Sequence, residues 1–255
     1  MKLIALTAVL AAGAAGQKIT DPPPLVRVFH SPCADSQTVQ RYAAVGAGVP
    51  VIGMTALTGT ADTWFVEAQT SFTSIERLDR ALQSSGTVRG EEACPISGGD
   101  DVVPPSGSWI AAYRPDLSYR PSEAVQSLPK ARYFQMSFFR VRPDAESDLA
   151  TLLKARKVTL DSINMDRPDL AYKVISGAPS GLYFLLTPLA SLETLDEVLA
   201  SVPTYAGDVA KEVRQIGAAD NIARESRLLR VNPELSYVSD DFTGVDPEFW
   251  KPRAK

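Results

Sequence analysis

Tyr113-Arg114-Pro115-Asp116-Leu117-Ser118-Tyr119 and Val231-Asn232-Pro233-Glu234-Leu235-Ser236-Tyr237 are two copies of one stretch in a chain of 255 residues. Each copy closes one half of the chain, and the same order of elements precedes each. Such self-similarity is stronger evidence for architecture than the propensity of any one segment. Before the first copy, Leu25 to Phe29 reads as a strand and Ser36 to Ala43 as a short helix. Val51 to Leu57 and Trp64 to Ala68 read as strands, Ser71 to Leu82 as a helix, and Trp109 to Tyr113 as the closing strand. Phe72, Ile75, Leu78 and Leu82 recur at helical spacing. Before the second copy, Tyr133 to Val141 is a strand, and Pro143-Asp144 opens a helix with Leu149, Leu152, Leu153, Leu160 and Ile163 on its apolar side. Ala171 to Ser176 and Leu182 to Leu186 are strands, Ser191 to Val202 and Gly207 to Glu225 helices, and Arg227 to Val231 the last strand. Ile75-Glu76-Arg77-Leu78-Asp79 matches Leu192-Glu193-Thr194-Leu195-Asp196, and Phe65 pairs with Phe184 by its place in the third strand. In the first half a Gly-rich insert, Ser84 to Gly107, stands where the second half has its extra helix.

Each half is therefore βαββαβ, the split βαβ unit. The strands are apolar almost throughout, as strands buried on both faces are. Helices cover one face, and the sheet of the other half covers the other. The predicted fold class is α+β: two tandem ferredoxin-like βαββαβ repeats packed sheet to sheet as a pseudo-dimeric α/β barrel. The repeats span 25–119 and 131–239. A linker rich in Pro and Ser (120–130) joins them, and in the C-terminal strap (240–255) Phe242, Phe249 and Trp250 are expected to dock over the barrel, with a partner-binding tail as the alternative reading.

Residues 1–16 combine Lys2, a short apolar run and small Ala and Gly residues, the pattern of a secretory signal cleaved near Gln17, against the reading of an uncleaved anchor, for which the apolar run is short. Pro-rich residues 17–24 form a linker. The expected location is secreted or periplasmic, with no membrane attachment after cleavage. In an oxidising compartment Cys33 and Cys94 are expected to form a disulfide. The loop after the first strand and the loop after the second helix lie at the same end of a βαββαβ sheet, which brings the two cysteines together. Closing a loop of about 60 residues contributes ~4 kcal/mol in the chain-entropy picture. The net charge of −4 gives no basic footprint, so nucleic acid is not an expected partner. The internal duplication supplies the second half of a dimer, so a monomer is expected.

Met54-Thr55-Ala56-Leu57-Thr58-Gly59, Thr63-Trp64-Phe65-Val66, the first signature, Tyr133-Phe134 with Phe139-Arg140-Val141-Arg142-Pro143, and Asp246-Pro247-Glu248-Phe249-Trp250 resemble a family of exported, uncharacterised bacterial proteins. The arrangement resembles the dimeric α/β-barrel superfamily, in tandem-fused form. That superfamily includes antibiotic-biosynthesis monooxygenase-like and haem-active members. The resemblance implies the fold and only an analogy for chemistry.

His30, the single histidine, ends the first strand. It is a candidate acid/base or haem ligand, against the reading of a satisfied strand-end histidine. Glu67 sits in an otherwise apolar strand and shares a face with Phe65. It is a candidate buried base, or the partner of Arg27 on the adjacent first strand in a structural ion pair. Arg27, Trp64, Phe65, Tyr113, Phe134 and Phe138 are the candidate ligand-pocket residues, with Tyr183 and Phe184 beside them, against a reading as plain core. No metal-ligand spacing occurs, no cofactor motif survives inspection, and Gly46-Ala47-Gly48 lacks the third glycine of a dinucleotide fingerprint.

Two functions follow. One is a secreted, non-catalytic barrel that binds a small apolar molecule or serves as an interaction module. The other is a cofactor-free monooxygenase-like or haem-associated enzyme with His30 or Glu67 handling the proton.

Overall fold

The structure is a computed structural model that describes residues 20–31, 49–59, 62–84, 107–200 and 222–250, with single positions 42, 43, 45, 102, 211 and 215. Its strands are β1 (Leu25–Ser31), β2 (Val51–Ala56), β3 (Thr63–Gln69), β4 (Gly107–Tyr113), β5 (Tyr133–Val141), β6 (Leu170–Ser176), β7 (Leu182–Leu189) and β8 (Ile222–Val231). They close into one barrel in the order β1-β3-β2-β8-β5-β7-β6-β4, every pair antiparallel. Each half contributes its four strands in the ferredoxin-like order 4-1-3-2, and the β2–β8 and β4–β6 seams join the halves. Closure leaves no edge strand. The chain is thus a tandem-fused dimeric α/β barrel.

Alternation along each strand sends one face inward and one outward. The inward face carries Val26, Val28, Met54, Trp64, Val66, Trp109, Phe134, Met136, Phe138, Tyr172, Phe184 and Leu229, which form the largest core cluster. The outward face is also apolar. Phe65, Val51, Leu78 and Leu235 pack together under α1 (Phe72–Ser84). A helix of the second half, Glu146–Ser162, covers Phe139, Tyr183 and Leu185. All eight residues of β7 are buried, as double-sided burial requires.

The duplicated signatures cross between the halves. Ser118 Oγ accepts from Ala171 N of β6 at 2.9 Å and donates to Arg114 O at 2.9 Å. Ser236 Oγ accepts from Gly53 N of β2 at 3.0 Å and donates to Asn232 O at 2.8 Å. Tyr119 bridges to Asp169 ahead of β6, and Tyr237 bridges to Val51 at the start of β2. Each half is clamped by the stretch that ends the other.

This symmetry also corrects one match. Gly53 and Ala171 are equivalent, so the strand registers make Trp64, not Phe65, the counterpart of Phe184. Phe65 points outward and Phe184 inward; a slip of one residue exchanges the faces. A second correction concerns β8. The sequence pattern extends the extra helix to Glu225, but strand begins at Ile222, paired with Val141; helix is seen at Lys211 and Gln215.

The lower end, where β5 begins, is closed by α2 (Pro121–Ser127), the segment read as a linker, and by a 3-10 turn, Leu128–Lys130. Two short helices, Asp240–Val245 and Pro247–Trp250, lie against it. Trp250 Nε1 donates to Pro129 O at 2.7 Å, Phe242 packs edge-on to Trp250, and Arg132 pairs with Asp246 while lying 3.8 Å over the Phe249 ring. β1 and β5 both end at the opposite, upper end. Residues 1–19, Cys33 and Cys94 lie outside the described residues, and with them the signal segment and the disulfide.

Candidate functional site

The candidate residues fall into two groups on opposite faces of the barrel wall. Arg27 and Glu67 are register partners on β1 and β3 and form an ion pair at 2.6 Å, but they face outward, beneath the helices. Glu67 is wholly buried (0% exposed). Its Oε2 also accepts from Tyr42 OH at 2.6 Å, its Oε1 accepts from Gln69, and Arg27 donates to Tyr42 OH at 2.7 Å. Ser74 Oγ donates to Gln69 Oε1 at 2.6 Å and extends the network into α1. Burial pulls the Arg27 guanidinium down, but Glu67 and Tyr42 outweigh it and raise it above its ordinary value. Burial first, then Glu67, pushes the Tyr42 phenol well above its ordinary range. A carboxylate with this many donors is a strut between sheet and helices. Phe65, stacked on Phe29 at 4.7 Å, belongs to the same face. Arg27 and Phe65 therefore do not join the other pocket candidates. Tyr183 is likewise outward, under the helix Glu146–Ser162.

His30 lies three residues beyond Arg27 on β1, and the odd spacing turns it inward. It is 4% exposed. Its Nδ1 lies 3.0 Å from Asp62 Oδ2, and Asp62 is 6% exposed. Asp62 is held at the end of the β2–β3 turn, where its carbonyl accepts from Ala56 N at 3.0 Å. The imidazole stacks flat on Trp64, its register partner, with ring centroids 4.1 Å apart and planes 6° from parallel. Trp109 meets it edge-on at 5.4 Å. Phe138 reaches across the barrel to both indoles, 5.8 Å from Trp64 and 6.5 Å from Trp109. Phe184 and Tyr172 continue the ring cluster downward, and Tyr113 packs on Tyr172 at 5.7 Å. Phe134 lies deeper on the same inward face.

Three polar atoms in this cluster, Trp64 Nε1, Trp109 Nε1 and Asp62 Oδ1, are buried without a hydrogen-bond partner among the described residues. Buried polar groups are normally satisfied, so these two donors and one acceptor are exceptions within the aromatic cluster. At the upper rim Arg227 Nε donates to Glu225 Oε1 at 2.5 Å, and Gly59 lies so close that an added Cβ would be 2.2 Å from Arg227 Nη1. Among the described residues no group of three or more His, Cys, Asp or Glu could hold a metal ion. His30 carries Asp62 on Nδ1, Trp64 against its ring face and Trp109 at its edge.

Sequence reasoning missed Asp62 and Trp109, which passed as a turn residue and a strand residue. The available signal was register: pairing β1 with β3 sets His30 opposite Trp64, two residues beyond Asp62.

The fold is similar to several solved structures. An anthrone oxidase-like protein matches with a TM-score of 0.51 and 9% identity over 82% of this chain and 90% of that one. A chlorite dismutase variant from Candidatus Nitrospira defluvii has a TM-score of 0.45 and 11% identity, over 90% and 96% of the two chains. A ferredoxin-fold protein from Listeria monocytogenes related to antibiotic biosynthesis monooxygenases has a TM-score of 0.39 and 9% identity, over 82% and 95%. At these identities the likeness is one of fold. No protein-family model and no curated protein matches the chain.

Proposed function

We propose that the upper half of the barrel is a small-molecule site in which His30, held by Asp62, takes a proton from an electron-rich aromatic substrate of phenol or enol type. The observation that carries this reading is the buried His30–Asp62 pair inside a ring cluster that also holds two indole N–H groups without acceptors among the described residues. An Nδ1–H bonded to Asp62 makes Nε2 the basic nitrogen of the neutral ring. Proton uptake creates an imidazolium, which the carboxylate and the face of Trp64 both stabilise. The indole donors supply the complementary half, hydrogen bonds to the substrate oxygen that gains charge as the proton leaves. Exclusion of water strengthens each of these interactions.

A deprotonated, electron-rich ring can react with dioxygen directly. A ring methylene then loses both hydrogens and becomes a carbonyl. One atom of dioxygen becomes the carbonyl oxygen, and the other leaves with the two hydrogens as water. The methylene carbon is oxidised by four electrons, dioxygen is reduced by the same four, and no other co-reactant is needed. What supports the cofactor-free enzyme over the non-catalytic barrel for an apolar ligand is the polar His–Asp pair set inside an aromatic interior beside two indole donors. Glu67 has no part in it. Secretion, cleavage near Gln17, the Cys33–Cys94 disulfide and a monomeric state complete the proposal; the leader-like residues 1–16 support export, and the closed single-chain barrel supports the monomer.

The test compares the wild type with His30→Gln and Asp62→Asn, using anthrone and 1-naphthol as probes. Binding is read from tryptophan fluorescence and turnover from dioxygen uptake. The expected result is loss of about 10²-fold or more in turnover for His30→Gln, with binding changed only slightly. Equal turnover in all three proteins would remove the proposal.

A further inference from the structure

The clamps fix which positions of the two halves are equivalent. Gly53 and Ala171 each donate their backbone N–H to the signature serine of the opposite half. From Gly53 the register runs through Met54↔Trp64 and then Trp64↔His30. From Ala171 it runs through Tyr172↔Phe184 and then Phe184↔Phe138. His30 in the first half is therefore Phe138 in the second, and Trp64 is Phe184. Two residues before these two, Asp62 is matched by Leu182. One strand further, Val28↔Trp109 corresponds to Met136↔Arg227, so Trp109 is matched by Arg227. Because β1 and β5 point the same way, the two sets face each other at the same end of the barrel.

The His–Asp pair thus has a twin made of Phe138 and Leu182, and the twin is part of the same cluster. Phe138 touches both indoles that flank His30 and passes the contact on to Phe184 at 5.8 Å. A barrel made from two identical chains would carry two polar sets converging on one axis. Here the first set carries the His–Asp pair, while its counterpart places Phe138, Phe184 and Leu182 opposite, with Arg227 where the first set has Trp109. We infer that Phe138 and Phe184 are the specificity wall of the site, the surface against which the substrate ring rests while His30 works from the other side, so that each chain binds one molecule and the size of that wall selects the ring system it accepts. The inference rests on the proposed proton-transfer site and adds to it the residues that choose the substrate.

The experiment measures dissociation constants of 1-naphthol and anthrone by tryptophan fluorescence, with stoichiometry from calorimetry. The proteins are the full chain, Phe138→Ala, Phe138→Leu, and Phe65→Leu as an outward-facing aromatic control. Turnover against pH is recorded for each. The expected result is one molecule per chain, a shift of about 10-fold in the anthrone-to-naphthol affinity ratio for Phe138→Ala, a smaller shift for Phe138→Leu, and none for Phe65→Leu. The pH profile keeps its shape in all of them. If His30→Gln abolishes turnover but neither Phe138 variant moves the ratio, or two molecules bind per chain, the wall is refuted and the proton site stands. If the wild type binds neither probe, or His30→Gln matches it in turnover, the underlying site falls and takes the wall with it.

Discussion

Arg27 and His30 lie three residues apart on β1, and that odd separation sends one into a structural network and the other into the candidate site. The pairing of Arg27 with Glu67 was legible: strand alternation plus adjacency of the first and third strands places the two side by side, and the ion pair is there. The direction they face was not legible. In a barrel wrapped by helices both faces of every strand are apolar, so hydrophobicity alone does not say which is inside. The network makes two predictions. Arg27→Met leaves Glu67 buried without its cation and should cost about 3 kcal/mol in urea unfolding, whereas Arg27→Met combined with Glu67→Met should recover much of that loss. Tyr42 has a raised folded-state phenol, so the unfolded chain loses that proton first, near the ordinary value of about 10. Its contribution to stability is complete below that pH and declines as pH rises above it. Urea midpoints between about pH 8 and 11.5 should show this decline, and Tyr42→Phe should flatten it.

At the scale of elements, the duplicated signature was visible as a repeat, but its role as a crossed clamp was not, because sequence similarity does not say which half a segment packs on. The clamp has one close approach. A Cβ on Gly53 would come within 2.0 Å of the Leu235 carbonyl oxygen, which is backbone and cannot swing aside. Ala171 occupies the equivalent place in the second half and carries a Cβ there. Gly53→Ala should therefore destabilise by about 1–3 kcal/mol, and Ala171→Gly by less than about 1 kcal/mol, as measured by thermal unfolding. A comparable loss in both would show that the two clamps do not differ in this way. At the upper end, His30 of β1 is the register partner of Gly107 of β4, so the segments carrying Cys33 and Cys94 leave from neighbouring strands. Protein exported by a bacterial host should have a mass two hydrogens below that of the reduced chain, and two free thiols would contradict the pairing.

For the whole molecule, the barrel belongs to neither half. The β2–β8 and β4–β6 seams and the crossed signatures mean that each half, alone, would expose two strand edges and lose its clamp. Halves split within 120–130 should be soluble only when co-expressed, and should then co-purify. The duplication was readable from the chain because element order survives divergence. The equivalence of His30 and Phe138 was not, because the two have no chemical likeness and only the strand registers match them. The proposed division, a proton acceptor in one half and Phe138 with Phe184 opposite it in the other, depends on His30 being a single, oriented proton acceptor. Since His30 is the one histidine in the chain, its ring nitrogens can be observed without ambiguity by nitrogen–proton correlation spectroscopy of tag-free, isotope-labelled protein. The account predicts one tautomer at neutral pH, protonated on Nδ1 and hydrogen-bonded, which loses this preference in Asp62→Asn and changes on addition of 1-naphthol. A mixture of tautomers that is indifferent to both would contradict it.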